Sequence, residues 1–423
     1  MKFIVIGITD NPKPWFPPEV IEIISQGKVF SGGKRHHQIV APLLPDDAQW
    51  IDITAPLDAV FEQYEAPLLF PQGATKDSSP NVEVGRGHII VFASGDPLFF
   101  GFANTIRRRM PEAEIKVYPA FNTLQMLAHR LVTPYHDLRI VSLTGRPWPE
   151  FDKALIEGVE KMGILTDKTH TPAAIAQRML DYGYGSYQMS VGEHLGHPAL
   201  ERVTTLSLEE ATKRHFDSPN CLILAAKKSS LFTHGSSLKW GIPDAEFSLL
   251  DGREKMITKM PIRLLTLQAL DLTGRSVFWD IGFCTGSVSI EARRLFPHLH
   301  IEAFEIRTEC EGIIKENARR FGAPGINVHI GDFMETDVTS LPRPDAVFIG
   351  GHGGHLKEIM AKVLEYMNSG GCIVMNSVKA PKVTTDSHQL WNEACLELQL
   401  EQEPPLRVVI DEHHPIEILK AHK

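Results

Sequence analysis

The sequence predicts an α/β protein built in two parts. Three observations carry this. The stretch Val277–Ser287 reads as strand, small-residue loop and helix start: the apolar run Val277-Phe278-Trp279 ends in Asp280, and Val288–Arg294 continues with helical spacing. Apolar runs then alternate with helical patterns through residues 256–423. Residues 1–228 alternate as well, with longer loops richer in proline. A chain of 423 residues also exceeds one ordinary core, so at least two domains are expected.

In chain order, the first half offers strand-like runs at Lys2–Gly7, His88–Ala93, Ile115–Tyr118, Leu138–Leu143, Met162–Thr166 and Gln188–Val191. Each is short, apolar and flanked by turn-forming residues. A break near Thr144–Pro149 divides this half into two α/β lobes. The run Cys221–Ala226 closes it, and the polar stretch Lys227–Ser237 follows. The boundary is placed between about residues 229 and 240, giving domains at 1–228 and 256–423 with 229–255 as linker and lead-in. Strands are then expected at Ser276–Asp280, His300–Glu305, Asn327–Ile330, Ala346–Ile349 and Gly371–Asn376. Helical patterns between them predict a parallel sheet covered on both faces.

A net charge of -9 and a pI near 6.1 argue against a general affinity for nucleic acid, while leaving room for a local basic pocket. The five cysteines are scattered without a C-x-x-C pair, which excludes a disulfide framework and a zinc cluster and suits a reducing cytoplasm. No signal-peptide pattern precedes the run Phe3–Gly7, and no apolar run is long enough to span a membrane. A catalytic metal is not expected. His413-His414 would point to opposite faces of a strand.

The loop after Trp279 carries the chemistry. Gly282 and Gly286 allow a sharp turn and close approach of a ligand. The helix start supplies free N–H groups. Roughly 20 residues on, a second apolar run ends in Glu305, placed to accept both hydroxyls of a ribose. Cys284 stands where a dinucleotide loop would have its second glycine. The loop instead resembles motif I of the class I S-adenosylmethionine (SAM) methyltransferases, D-x-G-x-G-x-G. That resemblance implies a Rossmann-like fold and a SAM site built from Thr258, Asp280, Gly282, Phe283, Cys284, Thr285, Gly286, Glu305 and Asp332. A helix N-terminus lowers a thiol pKa, yet a small side chain at Cys284 is all such a loop requires.

In the first half, Ser31-Gly32-Gly33-Lys34-Arg35, Ala93–Gly101 and Pro119–Gln125 place small and polar residues after apolar runs. Gly95-Asp96-Pro97 alone also reads as an Asp-Pro turn. Together with Ser142–Arg146, Leu165–Asp167, Thr171-Pro172 and Gly192–Gly196, these segments resemble the tetrapyrrole methylase family over nearly all of residues 1–228. The resemblance implies a two-lobed fold and a second SAM site at Gly95, Asp96, Pro97, Phe121 and Thr123. Two features depart from that family: the first loop is Gly7-Ile8-Thr9-Asp10-Asn11-Pro12 rather than G-x-G-P-G, and Thr144 stands where a histidine often precedes Gly-Arg.

The fusion of the two halves, with Thr258–Arg263 and Phe348–Gly354, resembles the bifunctional decarboxylating precorrin C-5,15-methyltransferase family of cobalamin biosynthesis. It implies methylation at ring carbon 5 by the N-terminal half. Methylation at carbon 15 and decarboxylation of the carbon-12 acetate fall to the C-terminal half. Lys34, Arg35, Arg146, Lys259 and Arg263 are candidates to clamp substrate carboxylates. His352 is the candidate proton donor for decarboxylation, and Asn376 either touches substrate or caps a strand. A precorrin or cobalt-precorrin is the expected partner, and a homo-oligomer is expected by resemblance. A class I enzyme acting on RNA and a SAM-binding regulatory protein are the rival readings.

Overall fold

The computed structural model describes residues 1–66, 88–227, 240–253, 256–378, 387–409 and 415–423. His413-His414 and residues 229–239 and 254–255 of the expected linker lie outside them.

Two compact units form. The first comprises Met1–Thr144, Lys161–Ile175 and Gln188–Ala225; the second comprises Gly145–Glu160, Ala176–Tyr187 and Ala226–Lys423. This division does not follow the linear order. The helix Pro149–Ile156 belongs to the second unit, as does most of Pro172–Asp181. Side-chain chemistry explains it: Arg178 clamps the buried Asp152 with two hydrogen bonds of 2.7 and 2.6 Å, and Tyr184 donates to the Gly322 carbonyl at 2.8 Å.

The first unit holds two five-stranded sheets. In one, β1 (Lys2–Ile8), β2 (Val29–Gly32), β3 (Gln49–Asp52), β4 (His88–Ser94) and β5 (Glu114–Tyr118) run in the order β3-β2-β4-β1-β5, all parallel. In the other, β6 (Arg139–Ser142), β7 (Lys161–Leu165), β8 (Tyr187–Glu193), β9 (Arg202–Ser207) and β10 (Asn220–Ala226) run β6-β7-β10-β8-β9. Sequence periodicity alone missed β2, β3 and β9. β2 and β3 have four residues each, and β3 exposes Gln49 and Asp52 around a single buried Ile51; the longer β9 buries Leu206 alone, so neither a run nor a period stands out.

The second unit is built on β11 (Val277–Ile281), β12 (His300–Glu305), β13 (Ile326–Ile330), β14 (Ala346–Ile349) and β15 (Cys372–Val378), parallel in the order β13-β12-β11-β14-β15. A C-terminal hairpin, β17 (Leu406–Val409) and β18 (Pro415–His422), follows the two-residue β16 (Glu401–Gln402); β18 adds antiparallel to β15. Alternation along the strands splits the core between two faces. Trp279, Phe304 and Val347 pack in one cluster, and Phe278, Ile301 and Phe348 in another. The strand order reverses between β11 and β14, which places a ligand crevice beyond their C-terminal ends.

The lead-in 240–253 is part of this core. Ile242, Phe247 and Leu250 are buried against the helix Glu309–Arg320 and its neighbours. Buried Glu291 accepts the backbone N–H groups of Gly241 and Ile242 at 2.9 and 3.1 Å.

Candidate functional site

The loop after β11 is shaped by backbone contacts. Gly282 has φ +78, and a Cβ there would lie 2.7 Å from the backbone nitrogen of Gly351. The loop after β14 therefore lies directly on the loop after β11, held by a Gly350 N–H to Ile281 carbonyl bond of 2.8 Å. Cys284 adopts φ +48, a left-handed conformation that costs a non-glycine residue energy. The turn thus keeps a glycine-like backbone where the sequence lacks glycine.

Asp280 is fully buried at the end of β11. Its Oδ2 accepts a 2.5 Å bond from Ser289 on the following helix, while Oδ1 has no partner. Burial pushes its pKa up to about 7; the nearby Glu305 charge adds to this, and the Ser289 bond opposes it. An unpaired acceptor buried beside a glycine cradle suits a ligand that brings a cationic or N–H donor. Thr285 Oγ1 is likewise buried and unpaired. Glu305, at the end of β12, accepts from the Cys284 N–H at 2.9 Å and, through Oε1, from the Arg307 N–H and guanidinium at 3.1 Å each. The carboxylate is therefore already partly committed, with Oε2 the less engaged oxygen. These residues fit an adenosyl ligand with an amino-acid tail.

Other expected positions separate clearly. Phe283 packs into the core, so only its backbone is offered to a ligand. Cys284 and Cys310 share that cluster, and burial pushes the Cys284 thiol up, not down as its helix-start position implied. Asp332 is exposed after β13 and accepts the Met334 N–H at 2.9 Å. Half-buried Thr258 gives its carbonyl to Arg263. Arg263 itself requires correction as a substrate clamp. It is fully buried, with Nε on Glu291 at 3.0 Å and the remaining nitrogens on Asp244 and the carbonyls of Thr258 and Ile242. Its donors are spent inside the fold. Lys259 is 41% exposed and 3.9 Å from Asp244, and keeps a solvent-facing ammonium.

His352 is half-buried in the loop after β14, and its Nδ1 accepts the Gly354 N–H at 3.2 Å. That acceptor role leaves the proton of the neutral ring on Nε2. Burial, then the neighbouring His355, lowers its pKa and favours the neutral form. Asn376 lies within β15 rather than past it, opposite Ile418 of β18, and its side-chain oxygen is 3.1 Å from the Thr266 hydroxyl. It does not cap the strand end.

In the first unit, three strand ends converge. A Cβ on Gly7 would lie 2.0 Å from the Gly95 oxygen and 2.6 Å from the Ala120 nitrogen. Gly95 has φ +60, and a Cβ there would lie 2.9 Å from Asn122. The C-terminal end of β1 and the loops after β4 and β5 thus meet at backbone distance, which is why Gly7 and Gly95 tolerate no side chain. Asp96 caps its own turn through the Leu98 N–H at 2.8 Å, as an Asp-Pro turn does. Pro97 is buried beside it. Phe121 is exposed, with its ring edge on His129, and Thr123 opens a helix capped by Asn122 and Gln125. Exposed Lys34 starts the helix Lys34–Val40, and Arg35 is bound to Asp10 and Ser94 at 2.9 Å each. Exposed Arg146 groups with the second unit, not with these residues. Sequence reading did not find Ser289, Gly351 as the neighbour of Gly282, or the partners of Arg35; only the folded chain brings them together.

Among the described residues no helix is long and apolar enough to cross a membrane, and no three His, Cys, Asp or Glu side chains are grouped to hold a metal. The tetrapyrrole (corrin/porphyrin) methylase family matches residues 2–212, and the precorrin methyltransferase domain family matches residues 251–407. Among curated relatives, the precorrin-6Y C(5,15)-methyltransferase [decarboxylating] of Sinorhizobium sp is 31% identical over 95% of this chain and 91% of its own length. The protein of that name from Mycobacterium tuberculosis is 27% identical over 70% of this chain and 72% of its own. The cobalt-precorrin-6B C(15)-methyltransferase (decarboxylating) of Salmonella typhimurium is 33% identical over 37% of this chain and 83% of its own length. With both halves matched and the relationship running almost end to end, this chain belongs to the family of precorrin-6Y C(5,15)-methyltransferases (decarboxylating).

Proposed function

We propose that this chain uses SAM to methylate a precorrin or cobalt-precorrin at ring carbons 5 and 15 and removes the carbon-12 acetate carboxyl as carbon dioxide, in cobalamin biosynthesis. The observation that carries the reading is the near full-length relationship to a bifunctional relative, across two unlike halves. Residues 1–228 are assigned to carbon 5. Residues 256–423, where the precorrin methyltransferase domain family matches, are assigned to carbon 15 and decarboxylation. Each half holds its own SAM, the first around Gly95, Asp96, Pro97, Phe121 and Thr123, the second around Asp280–Gly286, Glu305 and Asp332. The chain works in the cytoplasm as a homo-oligomer, with neither nucleic acid nor membrane as partner.

Bound SAM supplies an electrophilic methyl group on a sulfonium. The protein's task is orientation, which can contribute roughly 7–11 kcal/mol. Asp280 Oδ1 receives the amino group of the cofactor tail, and Glu305 Oε2 a ribose hydroxyl. Lys34, Lys259 and Arg146 offer charges to substrate carboxylates. His352, charged by taking a proton from water at Nδ1, donates its Nε2 proton to the carbon that loses the carboxyl and returns to the neutral ring.

The test incubates the intact chain with SAM and the metal-free and cobalt-bound precursors, with products read by mass. Two methyls gained and one carbon dioxide lost is the expected result. An unchanged ring in both cases, with SAM bound, overturns the reading and moves the search to RNA or to a regulatory role.

A further inference from the structure

A network at the C-terminal ends of β1, β2 and β4 has a role not accounted for by cofactor or carboxylate binding. Asp10 follows β1 and is 11% exposed at its side chain. Its Oδ2 lies 3.1 Å from Nδ1 of His194, which follows β8, and its Oδ1 accepts Arg35 at 2.9 Å. Arg35 also donates to Ser94 at 2.9 Å, and His36 meets the same hydroxyl at 2.9 Å.

His194 is held unusually firmly. It adopts φ +47, and a non-glycine residue there stores strain of the kind found at functional sites. Its N–H donates to the Pro219 carbonyl, and its carbonyl accepts the His197 N–H, both at 2.9 Å. Two residues on, a Cβ at Gly196 would lie 3.2 Å from Thr9, so the His194 loop rests on the loop carrying Asp10. A carboxylate only accepts, so Nδ1 bears the proton and Nε2 the lone pair. That nitrogen bonds to none of the described residues, and the side chain is 19% exposed.

We propose that His194 is the proton acceptor for methyl transfer in the N-terminal half, with Asp10 as its positioning residue and Arg35 holding the Asp10 carboxylate in place. This rests on the proposed function. In that step a ring carbon forms a bond to the donor methyl while the methyl–sulfur bond breaks and its electron pair stays on sulfur. The ring has given up a π pair and carries one positive charge. Loss of one ring proton to Nε2 of His194 returns a pair to the ring, and the imidazolium passes the proton to water.

The test uses the intact chain, and two readouts separate the outcomes. In the ligand-free protein, nitrogen NMR should show His194 protonated at Nδ1, a signature lost in D10N and retained in D10E. With SAM and substrate, H194G, which also suits the left-handed backbone, should lose roughly 10²–10⁴-fold in carbon-5 methylation and regain part of it with added imidazole. A ring proton on Nε2 in the free protein overturns the inference. So does H194G at the wild-type rate, or a folded H194G that imidazole does not restore. A wild type that adds no methyl to the ring overturns the functional reading as well.

Discussion

Asp280→Asn tests the central feature of the C-terminal site. The buried carboxyl is pushed up from 3.8 to about 7, chiefly by burial. At 1.36 kcal/mol per pH unit the full effect is roughly 4 kcal/mol. The sign follows from proton counting. Between about pH 4 and 7 the folded chain holds a proton on Asp280 that the unfolded chain has released, so this group lowers stability as pH rises through that window. Integration from pH 5 to pH 8 gives about 2–3 kcal/mol of stability lost by the wild type and not by the variant. Asparagine leaves a buried N–H without a partner, a cost of about 1–3 kcal/mol that does not depend on pH. The pH dependence of the difference between the two proteins therefore isolates the carboxyl. Urea unfolding followed by tryptophan fluorescence at pH 5, 6, 7 and 8 measures it. The variant should gain on the wild type by about 2–3 kcal/mol across that range while binding SAM more weakly. A stability difference that stays flat with pH would refute the reasoning, because an ordinary, already ionised carboxyl has nothing left to titrate there.

Three further outcomes follow. Arg263→Met leaves buried Glu291 without its charge partner and should cost about 3–5 kcal/mol in unfolding free energy; a change in substrate KM with unaltered stability would restore Arg263 to the substrate site. Gly282→Ala forces a Cβ to 2.7 Å from Gly351 at φ +78, so calorimetry should show SAM affinity at the C-terminal site lost while the N-terminal site still binds. His352→Asn should slow decarboxylation by roughly 10²-fold or more with the carbon-5 methyl still added, read by product mass; carbon dioxide release at the wild-type rate would remove His352 from the chemistry.

The extent to which the sequence was legible varies by residue. Val277–Gly286 shows its strand, loop and acid directly, because a turn that brings backbone to a ligand needs glycine and a parallel strand needs an apolar run. The acid at Glu305 is legible by the same token. Cys284 is partly so: its position in the motif is plain, but its left-handed backbone and raised thiol pKa belong to the fold. Arg263 shows the limit. A conspicuous cation near motif I resembles a ligand clamp in sequence, and only folding reveals Glu291, 28 residues on, as its partner.

By itself, then, the sequence determined the alternation of strands and helices, the two halves and the cofactor loop, because these depend on local periodicity and on residues close in the chain. Tertiary structure alone decided the rest. It grouped the helix Pro149–Ile156 with the second unit through Asp152 and Arg178, left Asp280 Oδ1 without a partner, and brought His194 to Asp10 across 184 residues. Burial and pairing across such separations arise from packing, and no spacing along the chain encodes them.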